Sequence, residues 1–125
     1  MLAQSPIIAF TQTAQPDHAR TFYRDALGLT LVEEHDFAIV FNAHGTMLRI
    51  QKVKAFTPNA NTSLGWRVTD LAATMRELAN RGVEFLRYPD MKQDPAGVWI
   101  SPAGAKICWF KDPDGNVLSL TQWSE

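Results

Sequence analysis

Few side chains in this 125-residue chain could ligate a metal or carry a proton, and their spacing keeps them apart. The three histidines, His18, His35 and His44, include no i, i+4 pair and no glutamate at metal-ligand spacing. They are expected in surface or capping roles. The single cysteine, Cys108, lies in the apolar run 107–110 without a Cys-x-x-Cys partner, as a small buried hydrophobe does. Glu33 and Glu34 are adjacent, and adjacent strand residues point to opposite faces, so they form no catalytic carboxylate pair and are expected on a solvated edge. A different set alternates. Arg49 and Gln51 repeat at a period of two, as do Ser119 and Thr121. A guanidinium fork beside an amide suits a carboxylate or phosphate, although Arg49 would serve equally in an internal ion pair. Phe10, Trp99 and Trp109 add aromatic surface, and Gln12 and Arg67 further polar groups. Aromatic walls with a few polar groups are the usual composition of a small-molecule site.

Those residues must be held by strands, and the chain supplies strands in two similar series. Residues 6–13 are apolar and β-rich, and Pro16 with Asp17 opens a helix. Ala19, Phe22, Tyr23, Ala26 and Leu27 give that helix one apolar face, and Gly28 stops it. Strand patterns follow at 30–35, 37–41 and 46–53. The second half repeats the order: a strand at 62–69, Asp70 as N-cap, a helix with Leu71, Met75, Leu78 and Ala79 inward, and Gly82 as its stop. Strands are then expected at 83–87, 105–111 and 116–122, with a further short one at 98–100. Each half is thus a βαβββ unit, over about residues 5–54 and 61–123 of one domain spanning 1–125.

A four-stranded sheet covered by one helix leaves its other face bare, and such a unit is marginal alone. The bare faces should curve toward each other or toward a second chain. Alternation places Met47, Arg49 and Gln51 on the bare side of one strand, and Val117, Ser119 and Thr121 on another. The same logic gives Ile8, Phe10 and Gln12, and then Ser63, Gly65 and Arg67.

Composition narrows the partners. Hydrophobic residues make up 46%, charged residues 20%, and the net charge is −1, without the basic excess of a nucleic-acid binder. No apolar run approaches the roughly 20 residues of a membrane span, and the first ten residues lack a signal-peptide pattern. A soluble cytoplasmic protein, neither nucleic-acid-binding nor membrane-bound, is expected.

Three segments carry a family likeness. Residues 22–29 (Phe-Tyr-Arg-Asp-Ala-Leu-Gly-Leu), at the end of the first helix, 64–71 (Leu-Gly-Trp-Arg-Val-Thr-Asp-Leu), at the strand-to-helix start of the second repeat, and 110–118 (Phe-Lys-Asp-Pro-Asp-Gly-Asn-Val-Leu), in the late hairpin, follow in order at the spacing of one family. Together they make the chain similar to the vicinal-oxygen-chelate superfamily of glyoxalases, bleomycin-resistance proteins and extradiol dioxygenases. The resemblance implies an α+β fold: two tandem βαβββ repeats forming a curved mixed sheet around a concave cavity. It also implies a divalent metal, held by His or Gln early in the first strand of each repeat and Glu in the last. Here those positions are Ile8, Ser63, Arg49 and Ser119. None is a good ligand, and Arg49 would place a fixed positive charge where the cation should sit. No family-type metal site and no cofactor are expected. A homodimeric small-molecule-binding protein follows, with an organic ligand in the concave cavity meeting Arg49, Gln51, Ser119, Phe10 and Trp99, an anionic one suiting Arg49. The alternatives are an enzyme of the superfamily, a lyase, isomerase or dioxygenase with displaced metal ligands or metal-free acid–base catalysis, and a purely structural dimerisation unit. No catalytic residue is assigned.

Overall fold

Alternating strands and short amphipathic helices recur in the same order in both halves of the chain. The computed structural model describes residues 1–124. It separates into two compact units, one over Met1–Thr57 and one beginning at Pro58.

In the first unit a short 3₁₀ turn (Leu2–Gln4) precedes β1 (Ile8–Thr13), α1 (Pro16–Thr21), β2 (Thr30–Glu34), β3 (Ala38–Ala43) and β4 (Thr46–Lys52). The sheet order is β1-β4-β3-β2, with β1 parallel to β4 and the other pairs antiparallel. Thr11, Thr13, Ile39, Phe41, Leu48 and Ile50 are buried on the helix-bearing side, where Ala19 and Tyr23 meet them. The Tyr23 and Phe41 rings lie 6.0 Å apart. The helix departs from regularity after Thr21. Phe22–Ala26 forms a π-helical turn, closed by Leu27 N donating to Phe22 O at 3.0 Å. Leu29 N then reaches Tyr23 O at 3.0 Å, and Gly28 takes φ 75°, a left-handed value that glycine tolerates at low cost. The wider turn keeps Tyr23 fully buried while Phe22, Ala26 and Leu27 are only half-buried.

The second unit holds β5 (Thr62–Arg67), α2 (Leu71–Asn80), β6 (Trp99–Ile100), β7 (Lys106–Lys111) and β8 (Val117–Gln122). Its order, β5-β8-β7-β6, reproduces that of the first, again with the outer parallel pair β5 and β8. Asp70 caps α2 as expected, its carboxylate accepting from Ala73 N at 3.0 Å. Leu71, Met75 and Leu78 bury the i, i+4, i+7 face of α2. Cys108, Phe110, Leu118 and Leu120 are buried on the helix-bearing side of the sheet. Full burial of such side chains contributes about 1.5–3 kcal/mol each, which ties this small helix to its sheet.

One expected strand is not formed. Residues 83–87 make only an isolated bridge, Phe85 to Phe110, and one further bond, Leu86 N to Trp109 O at 2.8 Å. The Gln93 side chain takes the place of a strand partner. Its Nε2 donates to Leu86 O at 3.0 Å and to Gly97 O at 2.7 Å, and its Oε1 accepts from Tyr88 N at 2.7 Å. The backbone is satisfied locally, so the chain leaves the ladder and returns to it only at β6. The short strand expected near 98–100 is therefore the true counterpart of β2.

The turn between β7 and β8 follows its sequence. Asp112 Oδ1 accepts from Asp114 N and Asn116 N, both at 2.9 Å, and Oδ2 accepts from Asn116 Nδ2 at 2.7 Å. Gly115, at φ 90°, supplies the left-handed step that closes it. The fold is thus α+β, two tandem βαβββ units each built on a mixed four-stranded sheet.

Candidate functional site

The face of each sheet away from its helix carries the expected residues. In the first unit, cross-strand register sets Phe10 against Arg49, Arg49 against Val40, and Val40 against Glu33, one row across β1, β4, β3 and β2. Residues directly opposite in register share a face. Ile8 pairs with Met47, and Gln12 with Gln51, whose side chains approach to 3.4 Å. Alternation therefore placed Phe10, Met47, Arg49 and Gln51 on the correct side.

This face is unusually apolar for an exposed surface: Ile8, Phe10 and Met47 are 47%, 50% and 43% exposed. Among the described residues, no carboxylate lies within 4.0 Å of the half-buried Arg49 guanidinium, and no side-chain hydrogen bond engages it. The internal ion pair is not formed there.

The ion pairs of this unit lie on the other side of the sheet. Glu34 accepts from the Arg20 fork and meets Lys52 Nζ at 2.8 Å, while Arg20 also holds Asp17 at 2.8 Å. Hydrogen bonds from Arg20, then from Lys52, hold the Glu34 carboxyl down at about 2. Glu34 is thus not on a solvated edge. It fastens α1 to β2 and β4, and a β-bulge between Leu31 and Glu33 explains how it reaches the helix side. Glu33 is exposed and stands apart from it, so the two carboxylates form no pair.

In the second unit Ser119 lies between Gly65 on β5 and Trp109 on β7, and Thr121 between Arg67 and Ile107, which faces Trp99. Trp99 and Trp109 accordingly share the open face with Ser119, an assignment that sequence alternation left open. Gly65 has a specific reason to be glycine. A Cβ there would stand 2.6 Å from Ser119 Oγ, so the hydroxyl occupies the space a side chain would need. Trp109 is held on three sides. Its Nε1 donates to Thr62 Oγ1 at 3.2 Å, Tyr88 meets it edge-on at 5.6 Å, and Trp99 lies 6.3 Å away at 39°. Thr62 is the member that alternation missed, and Tyr88 joins the group from an irregular loop. A bulge between Thr62 and Leu64 also puts Thr62, not Ser63, opposite Val117, and Ser63 Oγ instead donates to Val117 O at 3.3 Å.

The residues at the family's chelating positions do not fit a divalent metal. Ile8 is a hydrocarbon, Arg49 a cation, Ser63 is bonded to backbone, and Ser119 offers one hydroxyl. The histidines do not replace them: His18 is exposed on α1, His35 accepts from Phe37 N at 3.2 Å, and His44 sits in a turn at φ 51°. Among the described residues no three His, Cys, Asp or Glu side chains gather at metal distance. Burial pushes the Cys108 thiol up to about 12, so it stays protonated and inert near neutral pH.

A cleft of about 840 Å³ opens on the helix-bearing side of the second sheet, beside α2, and contains none of the expected residues. No described helix is long and apolar enough to cross a membrane.

The fold has many known counterparts. A bleomycin resistance determinant encoded on the transposon Tn5 superposes with a TM-score of 0.74 at 20% identity, covering 98% of this chain and 100% of that one. The antibiotic-binding protein TnmS3 from Streptomyces sp. CB03234 gives 0.73 at 23% identity, covering 99% of each. Lactoylglutathione lyase from Agrobacterium tumefaciens gives 0.72 at 18% identity, covering 94% of this chain and 93% of that one. At such identities these likenesses carry the fold alone. Among curated proteins no sequence matches this chain. The sequence model of the Glyoxalase/Bleomycin resistance protein/Dioxygenase superfamily matches residues 8–120, nearly the whole of both βαβββ units, and the chain belongs to that superfamily.

Proposed function

We propose that this protein binds a small organic molecule on the open faces of its sheets, without a family-type metal. The observation that carries this reading is the replacement of chelating side chains by Ile8, Arg49 and Ser119, on faces that retain aromatic and polar groups. On the open face of the first unit Phe10 and Gln51 would contact a ligand and Arg49 would meet an acidic group on it; on that of the second, Trp99 and Ser119 would contact a ligand. Structural relatives named for bleomycin resistance and antibiotic binding are in keeping with a sequestering role, as the lactoylglutathione lyase is with a catalytic one. The absence of a nucleophile–base pair among these open-face residues supports the sequestering role. A homodimer in the cytoplasm would suit it, since a second chain can cover the exposed Ile8, Phe10 and Met47.

Thermal melts with a panel of aromatic antibiotics, bleomycin included, test the reading. The expected result is a rise in melting temperature that chelator leaves intact and Trp109→Ala removes. About one equivalent of Zn, Ni, Mn or Fe per purified chain, or loss of the ligand effect with chelator, would overturn the metal-free site.

A further inference from the structure

A cavity of about 450 Å³ opens at one end of the second unit, with Val117 and Leu86 on its lining and Pro58 and Tyr88 among its walls. Arg87 and Lys111 also line it, and no Asp or Glu does. Lys111 stands opposite Val117 in register and two residues from Trp109, so it leaves the sheet on the open face. Neither cation is neutralised by a carboxylate among the described residues. Arg87 gives one N–H to the backbone oxygen of Asp94, and the Lys111 side chain has no hydrogen-bond partner among the described residues. Asp112, next to Lys111 in the chain, has both carboxylate oxygens turned into the β7–β8 turn. The Pro58 ring stands over Gly115, where an added Cβ would meet its Cγ at 3.4 Å, an ordinary contact distance.

Arg87 and Lys111 are both exposed, so the field they form at the mouth of the hollow favours an anion and is screened by salt. Tyr88 belongs both to this cavity and to the aromatic group, since its ring meets Trp109 edge-on at 5.6 Å. Trp109 is fixed by its bond to Thr62 before any ligand arrives, so little ordering cost falls on binding.

We propose that this cavity is an anion subsite, which takes the carboxylate or phosphate of a planar aromatic ligand whose ring lies against Tyr88 and Trp109. The proposal rests on the reading that the open face binds a small organic molecule. It adds a second, independent cationic locus to Arg49, and it names the ligand class as aromatic anions.

Titration calorimetry with 2-naphthoate and its neutral counterpart 2-naphthamide tests it, because the pair shares a ring system and differs in charge. The wild-type protein is expected to prefer the acid by about tenfold, equivalent to about 1.4 kcal/mol. Raising the salt concentration should shrink that preference. Lys111→Gln, whose side chain makes no bond to lose, should lower the acid-to-amide ratio severalfold. In an Arg49→Met background, which removes the other proposed anion contact, Arg87→Gln with Lys111→Gln should bring it to about one, with melting temperatures confirming that the variants fold. A wild-type ratio of one, or a ratio that survives in that combined variant, overturns the anion subsite and leaves aromatic binding standing. Failure of both probes to bind overturns the subsite and the small-molecule reading together.

Discussion

Arg49→Met separates the two roles open to an uncompensated cation on a sheet face. The substitution keeps an unbranched chain of similar length over Phe10 and Val40, the cross-strand neighbours, and removes the charge. No carboxylate of the described protein is orphaned, so the usual cost of breaking a buried pair, about 3–5 kcal/mol, does not arise. What changes instead is the desolvation of a half-buried guanidinium, which Met avoids. The ligand-free variant is expected to match the wild type or exceed its stability by up to about 1 kcal/mol. With an unfolding entropy of about 2.1 cal/mol/K per residue, 125 residues give about 0.26 kcal/mol/K, so the melting temperature should rise by about 0–4 °C. Binding of an acid moves the other way. Unit charges about 4 Å apart at an effective dielectric near 20 attract by about 4 kcal/mol, and partial exposure roughly halves that. Affinity for an acidic ligand held there should fall about thirtyfold. Melts in ligand-free buffer, followed by titration with the tightest acid found in a panel of aromatic carboxylates, read both effects. A loss of more than about 1.5 kcal/mol in the ligand-free protein would refute the absence of an internal partner. Unchanged affinity for every acid would remove Arg49 from the binding face.

Three further outcomes follow from the geometry. Glu34, held at about 2 against an ordinary 4.5, contributes stability that is complete above pH 4.5 and drains away as pH falls toward 2. Urea unfolding at stepped pH should therefore show the wild type losing about 1–2 kcal/mol more than Glu34→Gln over that window, and parallel curves would count against the cluster. Gly65→Ala should cost about 1–3 kcal/mol because its methyl meets Ser119 Oγ, and Ser119→Ala in the same chain should restore most of it. Light scattering at micromolar concentration should give about 28 kDa, twice the 14.0 kDa chain, and Phe10→Glu should return about 14 kDa; a wild type of about 14 kDa would refute the dimer.

Period-two alternation made most of this architecture legible. It placed Arg49 and Gln51 on the open side of β4, and Ser119 on that of β8, because long paired strands allow no other facing once the core side is known. What alternation does not encode are the interruptions. The bulge at Thr62–Leu64 moved Ser63 out of line, and the bulge at Leu31–Glu33 delivered Glu34 to a half-buried ion cluster on the helix side. The π-helical turn at Phe22–Ala26 left no trace in a helical pattern that read as regular. Residues 83–87 look like a strand by composition, and a glutamine six residues further on decides otherwise. Trp99 could not be faced in advance, since the start of β6 depends on that same loop.

The Gln93 brace also divides the second unit into parts with different freedom to change. Its amide satisfies Leu86, Tyr88 and Gly97 within one loop, and Asp94 Oδ1 accepts from Ala96 N and Val98 N, so the path from 86 to 97 is anchored by two side chains and local backbone bonds more than by a ladder. β6 itself offers only two residues for edge pairing, too few to template a neighbouring strand. Insertions or substitutions among the residues between these anchors would leave the sheet's hydrogen bonding untouched, while altering what stands beside Tyr88 and Trp99. In a lineage under pressure to meet new chemicals, this loop is where variants could accumulate without penalty to folding, and where directed diversification should begin.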